Sequence, residues 1–341
     1  MKNISLLSLF FIILELAVLL ISPVSSVHTL SLEGVYLKYA LLTPDNPQEY
    51  DVNIFEVYLS QIPNQSRDLI LKRLTGTGAD ELVSLVVRGN VFLTFRILDV
   101  QNETALVNTT LELNDVWIYN RYYLKKIVMS TTLTLDLRRM EYIDNNGSVL
   151  GRPTFLVFPE NLPLKGSLLV NMSRVGKLGA ATQDILVDNV SYSLWEHTKL
   201  NTYYRTFEPP YIHISSSQVP FYWKLSDGYY SATIWSNYIY DFDTGVLITG
   251  SFDVTPELLA LGVINGDSYD YSAAERNERL KDRGGTPHGL WNPGFNLYDT
   301  NIKFPETSST ATPRTGMKYF FAASLALLVI AAVLNWRWRR E

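Results

Sequence analysis

The chain has 341 residues, 47% of them hydrophobic, a formal charge of −5 and no cysteine. That length gives room for one large or two ordinary domains with a buried core. The lack of cysteine excludes a disulfide framework and a thiolate metal site, and an acidic balance with no basic run argues against nucleic acid as a partner.

Residues 1–26 read as a signal peptide, with a positive start at Met1-Lys2-Asn3, an apolar run over 6–21 and small residues at Val24-Ser25-Ser26. Glu15 lies inside the apolar run, where a permanent membrane helix would be penalised by about 2.5–3.5 kcal/mol, so cleavage is expected. Leaving out Lys2, Glu15, Lys318, Arg337, Arg339, Arg340 and Glu341, residues 27–316 carry 24 basic and 32 acidic side chains, a net −8. The 21 tyrosines and 15 phenylalanines suit the half-buried surface of a pleated sheet.

Strands are expected over residues 31–42 and 52–59, followed by a short helix at 66–74 that ends at Thr75-Gly76-Thr77-Gly78. The clearest alternation runs through 82–87, 91–100 and 104–113, turning at Asn102-Glu103. Val91, Leu93, Phe95 and Ile97 share one parity, as do Val107, Leu111 and Leu113, so these residues predict an inward face. Residues 131–143 continue the meander to a tight turn at Asp144-Asn145-Asn146-Gly147. Further strands are expected at 168–172, 183–194, 199–207, 229–240 and 246–253, the last two joined at Asp241-Phe242-Asp243-Thr244-Gly245. Thr255-Pro256-Glu257 opens a short helix with Thr as cap and Pro at its first position, and Ser272-Ala273-Ala274-Glu275 is a capping box for a second.

Residues 305–316 form a Ser/Thr/Pro stalk without core-forming side chains. Sixteen uncharged residues at 319–334, closed by Trp336, Arg337, Trp338, Arg339 and Arg340, predict a transmembrane helix over 317–336 with membrane lipid as its partner. The basic residues then place 337–341 in the cytoplasm and the N-terminal domain outside. The expected fold is mainly β: an antiparallel meander or sandwich ectodomain with a few short helices, plus that C-terminal helix. A subdivision into β regions 27–150 and 151–304 is expected near the Pro-rich stretch that follows residue 150.

Six acceptor sequences for N-glycosylation begin at Asn64, Asn102, Asn108, Asn146, Asn171 and Asn189. Asn108 has the parity opposite to the apolar positions and is expected to face water. Phe221, Tyr222, Trp223, Trp291, Phe295 and Tyr298 are candidates for a sugar-stacking or protein-docking surface, because aromatic rings give contact area at small entropic cost. No cofactor is expected. His28, His197, His213 and His288 lack the spacing of a metal site, Asn265 to Asp270 lacks that of a calcium loop, and Arg283 to Gly289 has no Lys-Ser/Thr end for phosphate. Phe242-Asp243-Thr244-Gly245 resembles the aspartic-protease signature, but Val246 follows and no second copy exists. Thr312-Pro313-Arg314-Thr315-Gly316 resembles a sortase sorting signal with its leading Leu replaced, so a retained anchor is expected instead.

Gly34-Val35-Tyr36-Leu37-Lys38-Tyr39, the meander, and Tyr240-Asp241-Phe242-Asp243-Thr244-Gly245-Val246-Leu247 together resemble secreted, C-terminally membrane-anchored β-rich surface proteins of archaea. The resemblance covers most of residues 30–253 as a loose pattern, implies a hairpin at the last motif and carries over no catalytic residue. The expectation is a non-enzymatic single-pass cell-surface protein whose ectodomain binds or scaffolds an envelope protein or glycan. The alternatives are an extracytoplasmic carrier for a hydrophobic ligand and a membrane-anchored hydrolase using Asp243 with a second acid.

Overall fold

A computed structural model describes residues 32–43, 52–72, 81–118, 122–192, 198–225, 228–266 and 290–305. The signal peptide, the capping box at 272–275, residues 306–316 of the stalk, the apolar segment 317–336 and the tail 337–341 lie outside the described residues. Among the described residues no helix is long and apolar enough to cross a membrane. Residues up to Ile302 form one compact unit; Lys303–Glu341 form a second, of which only residues 303–305 are described.

The expected antiparallel β architecture is present, but it closes on itself as a barrel and is not a sandwich. In chain order the strands are β1 (Tyr36–Leu41), β2 (Asn53–Tyr58), β3 (Leu82–Val87), β4 (Val91–Gln101), β5 (Thr104–Ile118), β6 (Tyr122–Asp136), β7 (Glu141–Ile143), β8 (Val149–Gly151), β9 (Leu168–Val170), β10 (Ala180–Ala181), β11 (Ile185–Tyr192), β12 (Leu200–Asn201), β13 (Thr206–Phe207), β14 (Tyr211–Ser216), β15 (Val219–Leu225), β16 (Gly228–Ile234), β17 (Ser236–Asp241), β18 (Leu247–Phe252), β19 (Val263–Asn265) and β20 (Phe295–Thr300). Twelve of them form the ring β4-β5-β6-β7-β8-β9-β11-β14-β17-β18-β20-β1, which closes where β1 pairs with β4. Each neighbour in the ring is the next ring strand in sequence, so the wall is an up-and-down meander, and the remaining strands are excursions from it. Closure removes the two open edges that a flat sheet of this size would present. Both expected β regions contribute to the one ring, and residue 150 falls within β8.

The alternation read from β4 and β5 fixes which way the wall faces. Val91, Leu93, Phe95 and Ile97 of β4, and Val107, Leu111 and Leu113 of β5, are buried. Outward on the same wall stand Thr94, Arg96, Asn108, Thr110, Glu112, Lys126 and Ser130, half-buried or exposed. The outer face is mixed: Leu98, Leu106, Tyr123 and Val128 are exposed among these polar and charged side chains.

A ring of twelve strands encloses more space than strand side chains alone fill. Residues 152–158 take up part of it. This segment leaves β8 and reaches β18, where Leu247 N–H donates to Phe155 O (3.0 Å) and Val157 N–H donates to Gly245 O (2.9 Å). Pro153 to Val157 are all buried. Phe155 stacks on Phe95 with centroids 4.7 Å apart, Phe95 meets Tyr39 edge-on at 5.9 Å, and Phe252 stacks on Phe295 at 5.0 Å. Such pairs add to what area burial alone supplies.

Among the described residues, two α-helices depart from the ring. The first, α1 (Asn64–Leu71), starts two residues before the expected position, follows Pro63 and buries only Ile70. The second, α2 (Pro256–Ala260), is capped as expected: the Thr255 hydroxyl accepts Leu258 N–H at 3.1 Å, and Gly262 takes φ +69° beyond its end. The strand expected over 229–240 is two strands in different sheets, β16 and β17, divided at Trp235. The one expected over 131–143 is likewise two, because Asp136 accepts from the N–H groups of Arg138 and Arg139 and turns the chain.

Candidate binding surface

The aromatic residues singled out in the sequence divide by burial. Phe221, Trp223 and Phe295 are core residues: Phe221 and Trp223 alternate inward along β15, and Phe295 lies under Phe252. Ring area that is already packed is not offered to a partner, which corrects the expectation for these three. Tyr222, Trp291 and Tyr298 are exposed. Tyr222 stands on the outer face of the sheet β10-β15-β16.

Trp291 and Tyr298 belong to one region of the barrel's outer wall, around β20, β1 and β4. The β1–β20 ladder has a bulge between Lys38 and Tyr39, which pair with Asp299 and Leu297. The extra residue, Tyr298, is thereby turned out to solvent, as bulges commonly do. Its ring meets Phe92 of β4 edge-on at 5.4 Å and Tyr203 at 6.1 Å. Lys38 Nζ lies 4.0 Å from the Phe92 centroid and 5.3 Å from that of Tyr298, a cation over two rings. Tyr203 comes from the β12–β13 turn, which is laid against this wall by Tyr204 N–H donating to Leu297 O at 3.0 Å and Leu42 N–H donating to the Tyr203 hydroxyl at 3.1 Å. Burial pushes the Tyr203 phenol up to about 12, against the opposing effect of the Leu42 donor. Trp291 joins the same turn through its N–H, which donates to Asn201 O at 3.2 Å.

The result is a cluster of the Phe92, Tyr298 and Tyr203 rings on the outer wall, with Tyr298 39% exposed; Trp291 (42%) and Tyr204, tied to the same segment by their backbone N–H groups, are exposed as well. Charged groups flank it: Arg96 lies over the Tyr36 ring at 5.5 Å. Tyr36 is raised by partial burial and then by the Asp299 carboxylate. Exposed rings beside hydrogen-bonding and charged groups can stack against a sugar face or a flat side chain while the rim fixes orientation. Tyr203, Tyr204 and Phe92 were missed in the sequence; the adjacent pair Tyr203-Tyr204 beside turn residues was the available signal.

The acceptor asparagines are all on the outside or half-buried. Asn64, Asn102, Asn146 and Asn189 are exposed, and Asn102 and Asn146 sit at hairpin tips. In Asn108 the amide nitrogen donates to Ser130 Oγ (3.0 Å) and Thr131 O (3.2 Å), and in Asn171 to Val149 O (2.8 Å). Glycan attachment replaces one of the two amide hydrogens, so at Asn108 one of the two bonds would be lost, while at Asn171 the remaining N–H can still donate.

Two other features bear on chemistry. Asp243 sits exposed in the β17–β18 turn, and the neighbouring acid Asp241 is committed to holding that turn, accepting Thr244 N–H at 2.8 Å and Thr244 O–H at 2.7 Å. His213 of β14 hydrogen-bonds Asn237 of β17. A small cleft of about 20 Å³, room for about one water, lies beside Met140, Arg152, Phe158, Pro163, Ile214 and Tyr240.

Comparison with protein families, curated proteins and solved structures finds no match.

Proposed function

We propose that this chain is a non-enzymatic, single-pass cell-surface protein whose barrel binds or scaffolds an envelope glycan or protein. In this reading residues 1–26 direct export, 317–336 anchor the chain, and exposed acceptor asparagines carry glycans. The observation that carries it is the ring cluster of Phe92, Tyr298 and Tyr203 under Lys38 on the outer wall, with Tyr298 exposed. The packing of residues 153–157 inside the ring, with Phe155 stacked on Phe95, supports binding at the surface over enclosure of a hydrophobic molecule. A hydrolytic reading finds little support at Asp243, since Asp241 beside it is occupied by Thr244.

Whole-cell crosslinking followed by partner identification tests the proposal. Wild type is expected to give a discrete crosslinked species that Trp291→Ala and Tyr298→Ala each diminish. The same species at the same yield in both variants would move the binding site elsewhere, and protection of the barrel from protease in intact cells would count against surface exposure.

A further inference from the structure

The three-stranded sheet β10-β15-β16 ends in β16, seven residues reading Gly-Tyr-Tyr-Ser-Ala-Thr-Ile. Its register with β15 decides which backbone groups are used. Pro220 pairs with Thr233, and because proline has no N–H this pair cannot exchange both bonds. Alternation along the ladder then makes Phe221↔Ala232 and Trp223↔Tyr230 the bonded pairs, and turns the N–H and C=O of Tyr229, Ser231 and Thr233 away from β15. Among the described residues nothing pairs with that side of β16, and all three residues are exposed, Tyr229 by 82%.

Exposed edges are ordinarily blunted by lysine, proline, a bulge or very short length. None of these is present in β16, whose register with β15 is unbroken over seven pairs. Lys224, the charge opposite this stretch, is on β15 and lies over the Tyr229 ring at 5.3 Å.

We infer that the β16 edge pairs antiparallel with the β16 edge of a second copy of this chain, across a two-fold axis at Ser231. That register is self-complementary. It places Ser231 opposite Ser231 of the second copy, and Tyr229 opposite its Thr233, so all three outward residues become bonded pairs at once. An aromatic ring falls beside a β-branched side chain, a hydroxyl beside a hydroxyl, and no like charges meet within the strand. The isologous contact closes, giving one six-stranded sheet and no fibre. This inference goes beyond the proposed binding role and does not depend on it, since the ring cluster is on β1, β4 and β20 and β16 belongs to a separate sheet.

The chain has no cysteine, so Ser231→Cys supplies the sole thiol. Bonded antiparallel pairs hold Cα atoms about 5.5 Å apart, within disulfide range. Thr233→Cys is the control, because four residues of offset put its two copies roughly 14 Å apart. Full-length protein in detergent, oxidised with copper phenanthroline, should form a covalent dimer at least ten times faster with Ser231→Cys than with Thr233→Cys. Equal rates would overturn the inference. Sedimentation supplies the second measurement, with Thr233→Pro and Ser231→Lys: the first removes an N–H that the hairpin does not use, and the second places like charges on the axis. Wild type should sediment as a dimer that dissociates on dilution, and both variants as folded monomers. A wild type that stays monomeric at all concentrations, including one whose edge takes up an added extended peptide, would also overturn it.

Discussion

Two walls of the barrel reach the same topology by different means. Strands β4, β5 and β6 are 11, 15 and 15 residues long and hold each other through backbone ladders, β5 and β6 being paired from Thr104↔Asp136 to Ile118↔Tyr122. Strands β7, β8 and β9 have three residues each, and β8 meets β9 through the single pair Gly151↔Val170. The short wall makes up the deficit with side chains bonding to backbone. Arg152 donates to Arg139 O (3.2 Å), Asn171 to Val149 O (2.8 Å), and Asp184 accepts Met172 N–H (2.8 Å). Behind it Glu257 of α2 is fully buried, and its Oε1 accepts both Thr154 N–H (2.8 Å) and Thr154 O–H (3.1 Å). A long ladder is redundant, whereas each of these bonds is a single tie; the short wall is therefore where point changes should cost most.

The largest effect is expected at Gly151. Its φ is +142°, and a Cβ there would stand 2.2 Å from Leu169 O and 2.6 Å from Pro256 Cγ. Gly151→Ala combines backbone strain with overpacking against the next strand and should cost about 3 kcal/mol or more. Gly147, in the turn of the same wall, has φ +76° but nothing within 4 Å, so Gly147→Ala should cost only about 1 kcal/mol. Urea midpoints of the two variants measure the difference, and equal losses would mean that Gly151 is not held between β9 and α2.

Glu257 comes next. Glu257→Ala leaves the Thr154 N–H buried without its acceptor and opens a cavity, at a cost of about 2–4 kcal/mol. Glu257→Gln keeps an acceptor of the same shape and isolates the charge. Burial raises the Glu257 carboxyl above its ordinary range, with the Thr154 N–H the strongest of the opposing effects. Burial is also the main cause of the raised phenols of Tyr39, Tyr142 and Tyr240, to which the Glu257 carboxylate adds. The Tyr142 hydroxyl and Glu257 Oε2 are not joined by an aligned hydrogen bond. Between the unfolded carboxyl value near 4.3 and the raised folded value, the folded chain binds the additional proton. The protonated carboxyl therefore contributes its stability fully below about pH 4, and that contribution is lost as pH rises through the folded value. Denaturation across this range should show Glu257→Gln gaining on wild type as pH increases, and parallel curves would mean that the carboxyl titrates alike in both states.

The same contrast explains how much could be read from the residues alone. In β4 and β5 a period of two over residues 91–97 and 105–113 leaves one solution, and β4, the start of β5 and the turn at Asn102 were expected where they occur, while β5 runs on to Ile118, five residues past its expected end. A three-residue strand is shorter than any period it could display: β9 fell within the strand expected over 168–172 and β7 within that over 131–143, but β8 was not expected and neither was the break before β7. The first half of β6, Tyr122-Tyr123-Leu124-Lys125-Lys126, breaks alternation with adjacent aromatics and adjacent lysines, so its start was missed. Closure was not legible either, because β1 meets β20 across some 260 residues and only tertiary packing brings Tyr36 to Thr300. At the candidate surface, residue type identified Trp291 and Tyr298 but could not separate them from Phe295. Parity along β20 would have done so, since Phe295 and Leu297 share the inward face and Tyr298 does not.

The smallest expected effect lies on the long wall and has the opposite sign in pH. Lys126 Nζ and Glu112 Oε2 are 2.8 Å apart on neighbouring strands, with 46% and 28% of their side chains exposed. Partial burial alone would raise Glu112, but hydrogen bonds from Lys126 and Asn114, with the Lys126 charge, hold it below its usual range. Its contribution is therefore present above the unfolded carboxyl value near 4.3 and is lost as pH falls through the lower folded value. Because solvent and salt screen the pair and the ladder beneath it is continuous, Lys126→Ala should cost no more than about 0.5 kcal/mol, less again at high ionic strength. Thermal unfolding of this variant in low and high salt, beside Glu257→Gln at the same pH values, sets the two carboxylates against each other. A long wall that depended on its charges would show a salt-sensitive loss as large as that of Glu257→Ala. A wall held by its ladder would barely register the change.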